Sequence, residues 1–181
     1  MALIKSNTGN ILTAIKTLLV NELAVGSHKV LLVAKTIIPN FTGDQDFIIR
    51  PGSPTPEDGF VQGSGRLASV VQRQMYVAIR TRFGVDVSNS DERWLLDPTL
   101  GHLAREEQVI NLLHLRRLKD SSGNDLLIEP MRMTQPIQDF VGHSQDGYTR
   151  GGDEKDAQKQ YGISILAFEC RYMLGVTNDG Y

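Results

Sequence analysis

Residues 66–83 read RLASVVQRQMYVAIRTRF, and no glycine, proline or acidic residue interrupts them. Val71, Met75, Val77, Ile79 and Phe83 alternate on one side. Gln72, Gln74, Tyr76, Arg80 and Arg82 take the other, with Arg73 as the exception on the apolar side. A period of two is that of a β-strand with one face on a core. At about 3.3 Å per residue an uninterrupted strand here would run roughly 55 Å, against about 20 Å for a typical strand. It is expected to bend at a bulge or to project, and a projecting strand offers unpaired N–H and C=O groups to another subunit.

Upstream, Ile11, Leu12, Ile15, Leu18, Leu19 and Leu23 fall on one helical face, with Asn10, Thr13, Lys16 and Thr17 outside. Ser6 or Thr8 is the expected cap and Gly26 the stop. Val30–Ala34 is a continuous apolar run and Phe47–Arg50 a second strand. Residues 51–65, PGSPTPEDGFVQGSG, carry three prolines and four glycines. They read as a long surface loop.

Downstream, Asp97 and Pro98 suit the cap and first position of a second helix. Its apolar side would hold Leu100, Leu103, Ala104, Ile110 and Leu113, with Glu106 and Glu107 outside. Residues 115–119 and 125–133 flank Ser121-Ser122-Gly123-Asn124 as a candidate β-hairpin. Residues 134–160 are polar and glycine-rich, a second long loop. Gly162–Leu174 is apolar on both faces, which suits a central strand. The expected fold class is α+β: a mixed or antiparallel sheet packed by two main helices, with long loops, in a single domain over 1–181.

The chain has 181 residues, 19 Lys+Arg and 21 Asp+Glu, for a net charge of -2. That balance argues against coating nucleic acid by bulk charge. One cysteine, Cys170, excludes an internal disulfide and any multi-cysteine zinc site. The first apolar run, Ile11–Leu23, is broken by Lys16, Asn21 and Glu22, so neither a signal peptide nor a membrane span is expected.

Chemistry-bearing motifs are sparse. His28, His102, His114 and His143 have no metal-ligand spacing, and His102 and His114 would stand about 18 Å apart along a helix. They read as surface or hydrogen-bonded histidines, and Cys170 as a buried structural thiol. Asp44 and Asp46, with Asp58, are oxygen ligands in type but lack a glycine-hinged calcium loop. Gly59–Gly65 has no Gly-Lys-Ser/Thr ending, and precedes a strand rather than a helix. Asn40-Phe41-Thr42 is a glycosylation sequon of no consequence without secretion. No catalytic residue, metal site or cofactor is expected. The locally basic strand is the one functional surface: Arg66, Gln72, Arg73, Gln74, Arg80 and Arg82 are candidates to line a lumen or pair between subunits.

The order of elements resembles the tail terminator (tail-completion) proteins of tailed bacteriophages, the minor tail protein U type. The opening helix Ile11–Leu23, the 51–65 loop feeding Arg66–Phe83, the helix around Leu100–Leu113 and the closing strand Gly162–Leu174 carry the resemblance. It implies a hexameric ring that caps the tail tube and joins it to the neck, with no catalytic residues. The implied partners are further copies of the chain, the major tail tube protein, a neck or head-completion protein and, transiently, genomic DNA in the lumen. The implied location is the virion, after assembly in the host cytoplasm. A neck adaptor ring is the alternative within that class. A small enzyme or ligand-binding module, with a pocket under the 51–65 loop and Asp44, Asp46 or His143 at work, is the alternative outside it. A nucleic-acid-binding accessory protein is a third.

Overall fold

The computed structural model describes residues 7–33, 45–57, 60–61, 67–68, 70–82, 96–143 and 160–173. Its elements are helix α1 (Asn7–Glu22), a 3-10 turn (Ser27–Lys29), strands β1 (Val30–Leu32), β2 (Gln45–Pro56), β3 (Phe60–Val61), β4 (Leu67–Ala68) and β5 (Val70–Arg82), helix α2 (His102–Leu113), and strands β6 (Arg132–His143) and β7 (Gln160–Met173). Five strands form one sheet in the order β1-β2-β5-β7-β6, and β3 and β4 form a separate pair. β1 runs parallel to β2, and every other pairing in the five-stranded sheet is antiparallel. A mixed sheet with two helices is the α+β class expected.

Alternation sets the core. Phe47 and Ile49 of β2, Val71, Met75, Val77 and Ile79 of β5, and Leu166, Phe168, Cys170 and Tyr172 of β7 are buried in one cluster. Ile11, Ile15, Leu19 and Leu23 of α1, four residues apart, and Val109 and Leu113 of α2 close that cluster. Each such aliphatic side chain contributes roughly 1.5–3 kcal/mol on burial. Thr8 does not cap α1: its hydroxyl lies 2.8 Å from the Tyr172 hydroxyl, and Asn7 Nδ2 donates to the Met173 carbonyl. Both bonds tie the first turn of α1 to the end of β7. The helix ends ahead of Gly26, where Ala24 takes φ 50°, the left-handed conformation of a helix C-terminus.

Four expectations are corrected. Residues 51–56 are strand, not loop, because β2 continues through Pro56 in register with Val71. β1 pairs with β2 only over Phe47–Ile49, so among the described residues β2 is a sheet edge beyond that point, where proline costs no ladder bond. The register slips between Pro51 and Pro54, so the bulge falls in β2 rather than in the long strand. β5 is paired with β7 from Val70 to Arg82 and does not project alone. Residues 134–143 of the second expected loop are also strand, in β6 at the opposite edge, and 144–159 lie outside the described residues.

The fourth correction concerns α2. Asp97 caps a turn, not the helix: its Oδ1 accepts from Thr99 N, Thr99 Oγ1 and Leu100 N. The helix starts at His102 after Gly101. Its buried face is His102, Arg105, Glu106, Val109 and Leu113, while Leu100 and Leu103 are 49% and 43% exposed. Between α2 and β6 the chain makes the expected reversal as a single bridge, Lys119 to Asp125, closed by Leu126 N to Leu118 O. Gly123 at φ 86° supplies the left-handed position, and Asp120 accepts from Ser122 N and Asn124 N.

Candidate functional site

Buried polar side chains concentrate at one end of the sheet. In β2 they are Gln45 and Asp46, in β5 Arg80 and Thr81, in β7 Ser164, and in α2 His102, Arg105 and Glu106. Gln45 lies opposite Thr81, and Asp46 opposite Arg80. Successive residues of a strand point to opposite faces, so the first pair meets α2 and the second lies on the far face.

On the helix side the bonds form a chain. Arg105 Nε donates to Gln45 Oε1 (3.2 Å), and Gln45 Nε2 donates to Thr81 Oγ1 (3.1 Å). Thr81 Oγ1 lies 2.7 Å from His102 Nδ1, and His102 Nε2 lies 2.7 Å from Ser164 Oγ. Ser164 Oγ donates to Glu106 Oε1. The direction follows from donor and acceptor types. Thr81 is fully buried, and of its two side-chain partners Gln45 Nε2 only donates, so the Thr81 proton goes to Nδ1. His102 is therefore the Nε2–H tautomer and donates to Ser164. Every bond points from the guanidinium toward the carboxylate, so each polarises the next.

Ser164, His102 and Glu106 have the composition of a hydrolytic triad but not its geometry. The acid of a triad holds the ring nitrogen remote from the nucleophile. Glu106 Oε1 is instead 3.2 Å from Nε2, the nitrogen that meets Ser164. Ser164 is also wholly buried. What this cluster does is fasten α2 to β2, β5 and β7.

The polar face of β5 is acid-free along one strand but not across the sheet. Arg80, 3% exposed, donates from Nε to Asp46 Oδ1 (2.7 Å) and from Nη2 to Oδ2 (2.5 Å). Arg80 is thus inside the fold, because the opposite residue of β2 is its carboxylate. Gln72 donates to Glu169 of β7, and the Tyr76 hydroxyl donates to Gln74. The guanidinium of Arg50 stacks over the Tyr76 ring at 5.2 Å. Further along, Arg171 donates to Glu57 and Glu129, which hold its proton more tightly than usual, and its guanidinium in turn holds the Glu129 carboxyl below its ordinary range.

Arg73 differs. It lies on the helix side of β5, opposite Pro54 and Cys170, partly buried, and its Nε is the buried side-chain polar atom that lacks a partner among the described residues. Arg82 ends β5, and Arg66, Asp44 and Asp58 lie outside the described residues. His143 ends β6. Burial pushes the Cys170 thiol up to about 12, which leaves it protonated and inert.

A groove of about 980 Å³ lies between the outer face of α1 (Asn10, Thr13, Thr17, Asn21) and the turn after α2 (Arg116, Lys119). Arg117 and Lys119 sit 3.5 and 3.8 Å from Asp125, while Glu22 and Arg116 of the same lining have no ion pair among the described residues. Among the described residues no group of His, Cys, Asp and Glu is arranged to hold a metal, and no helix is long and apolar enough to cross a membrane.

Sequence reasoning missed the polar cluster because it placed Glu106 outside with Glu107. The only signal available was compositional: a helix whose leucine side was incomplete.

No protein-family model matches the chain, and no curated protein matches it. Among solved structures it is similar to a chain of the "Virion of native gene transfer agent (GTA) particle", at 12% identity. That match covers 93% of this chain and 98% of the other, with a TM-score of 0.49.

Proposed function

We propose that the protein is a structural subunit of a phage-like virion: a ring-forming tail terminator at the head-proximal end of the tail tube, working by shape and contact rather than catalysis. The observation that carries this reading is the start of α2, which buries polar groups beside exposed leucines. The helix turns His102, Arg105 and Glu106 inward and leaves Leu103 outside, and the turn before it exposes Leu96 (64%) and Leu100 (49%). A chain that spends polar groups on its own core while presenting leucines outward is built for another protein surface. The order of elements supports the same reading. The partners it assigns are further copies of the chain in a hexameric ring, the tail tube protein and a neck or head-completion protein, with the genome passing through the lumen.

Native mass spectrometry over a range of concentrations tests it. A closed ring, six copies expected, that binds the end of purified tail tubes supports the reading. The pair Leu100→Glu with Leu103→Glu should then give folded monomers. A wild-type chain that stays monomeric in the presence of tubes overturns it.

A further inference from the structure

Arg73 and Glu107 are opposite charges whose side chains have no partner among the described residues, and they stand too far apart to meet within one chain. Arg80 and Arg171 have their own carboxylates, and Arg105 is bonded to Gln45, Gln108 and the Leu23 carbonyl. Arg73 has neither an ion pair nor a hydrogen bond from its side chain among the described residues, and its Nε is buried unpaired. The orphaned atom is Nε, on a residue of β5 that lies opposite Pro54 of β2. An orphaned buried donor costs stability and asks for a reason.

The acids show the converse. Glu57, Glu129, Asp46 and Asp125 are paired, Asp120 is used in its turn, and Glu106 ends the polar chain. Glu22 and Glu107 are exposed and unpaired among the described residues. Glu107 stands one helical turn from Leu103, on the outward side of α2. Its neighbour Glu106 reaches Ser164, which lies opposite Ile79. Arg73 is six residues further along β5, about 20 Å away.

We infer that the outer face of α2 in one copy docks on the β2 edge of the next, with Glu107 meeting Arg73. The apolar parts match as well. Leu100 and Leu103 would lie on the ridge formed by Pro51 and Pro54, where prolines supply no N–H for strand pairing and a side-chain contact is the one available. Two different patches in contact make a head-to-tail interface, which gives a ring when the rotation between copies closes. The inference rests on the ring reading above and names its contact.

The test is charge exchange in the full chain, followed by sedimentation velocity and native mass spectrometry, with thermal melts as the folding control. Glu107→Arg and Arg73→Glu should each weaken association at least about tenfold, and the double exchange should restore it to within a few fold. Arg73→Met and Glu107→Gln serve if a reversal fails to fold. Arg73→Met should melt no lower than wild type, since it removes the orphan, and still associate poorly. Glu22→Arg should associate normally. A wild-type ring that the single exchanges leave intact, that the double exchange fails to rescue, or that Glu22→Arg breaks instead overturns this contact and leaves the ring reading standing. A strictly monomeric wild type overturns both.

Discussion

Arg105 and Glu106 are consecutive in the chain yet stand at opposite ends of one hydrogen-bond chain that leaves α2, crosses β2, β5 and β7 and returns. The direction of that chain fixes the ring of His102. The imidazole ¹⁵N spectrum should therefore show Nδ1 unprotonated and Nε2 protonated in the native state. The reverse tautomer would mean that the chain does not run as described. Ser164→Ala breaks it in the middle, leaving a buried carboxylate and a ring N–H without their shared partner. The expected cost is about 1–3 kcal/mol in urea unfolding, with no loss of secondary structure below the transition.

Arg80 and Asp46 form a second device at the same end of the sheet. Both are almost wholly buried. Removing one partner takes the counter-charge from a buried group, so Arg80→Ala or Asp46→Ala should each cost about 3–5 kcal/mol. Replacing both by apolar residues, Arg80→Met with Asp46→Leu, should recover most of that loss. A charge reversal at Arg80, which from the sequence alone would test assembly, is expected to unfold the chain instead. A double-mutant cycle with near-zero coupling would show the pair to be dispensable.

How far the sequence reached depends on whether a residue's neighbours lie in the same element. Strand β7 was legible because Leu166, Phe168, Cys170 and Tyr172 alternate against Ile163, Ile165 and Ala167 with nothing between. Helix α1 was legible because Ile11, Ile15 and Leu19 repeat every four residues. Residues 51–56 were not. Pro51, Pro54 and Pro56 break a strand in the middle of a sheet and are harmless at its edge, and only the shortness of β1 makes that an edge. The polar face of β5 looked acid-free because its acids arrive from β2 and β7. The facing of α2 was hidden for the same reason: Glu106 goes inward to Ser164, 58 positions away in the chain.

Carboxylates with depressed pKa values give the pH dependence its sign. Backbone and side-chain bonds from Asn124, then the amides of Ser122 and Gly123, hold Asp120 below its ordinary value of 3.8. The Arg171 guanidinium, joined by Arg132, holds Glu129 below 4.5. A carboxyl whose folded pKa is lowered stabilises the fold above its unfolded pKa, and the contribution disappears as the pH falls through the folded one. Stability should thus be flat near neutrality and decline on acidification below about pH 4–4.5. Asp120→Asn should flatten part of that acid limb in melts at pH 2–5, and an unchanged limb would show that the turn carries none of it.

Cys170 offers a direct readout of core opening. It faces the helices in mid-strand, wholly buried, with its thiol pushed up to about 12 by burial. At pH 8 a small alkylating reagent should modify the native chain far more slowly than the urea-unfolded one, because reaction needs both exposure and thiolate. Ser164→Ala and Arg80→Ala should speed labelling in proportion to the stability they lose, provided that opening is global. Labelling that stays equally slow in both variants would place Cys170 in a unit that opens independently of the polar end of the sheet.

Ala24 sits at φ 50° just past α1, exposed, where a side chain gains nothing and strains the backbone. Glycine has no such penalty but loses more freedom on folding. The left-handed cost of roughly 1–2 kcal/mol exceeds the entropic one of roughly 0.5–1 kcal/mol. Ala24→Gly should therefore stabilise the chain by about 0.5 kcal/mol, read as a higher urea midpoint at constant slope. A fall in the midpoint would mean that α1 does not end in the conformation described.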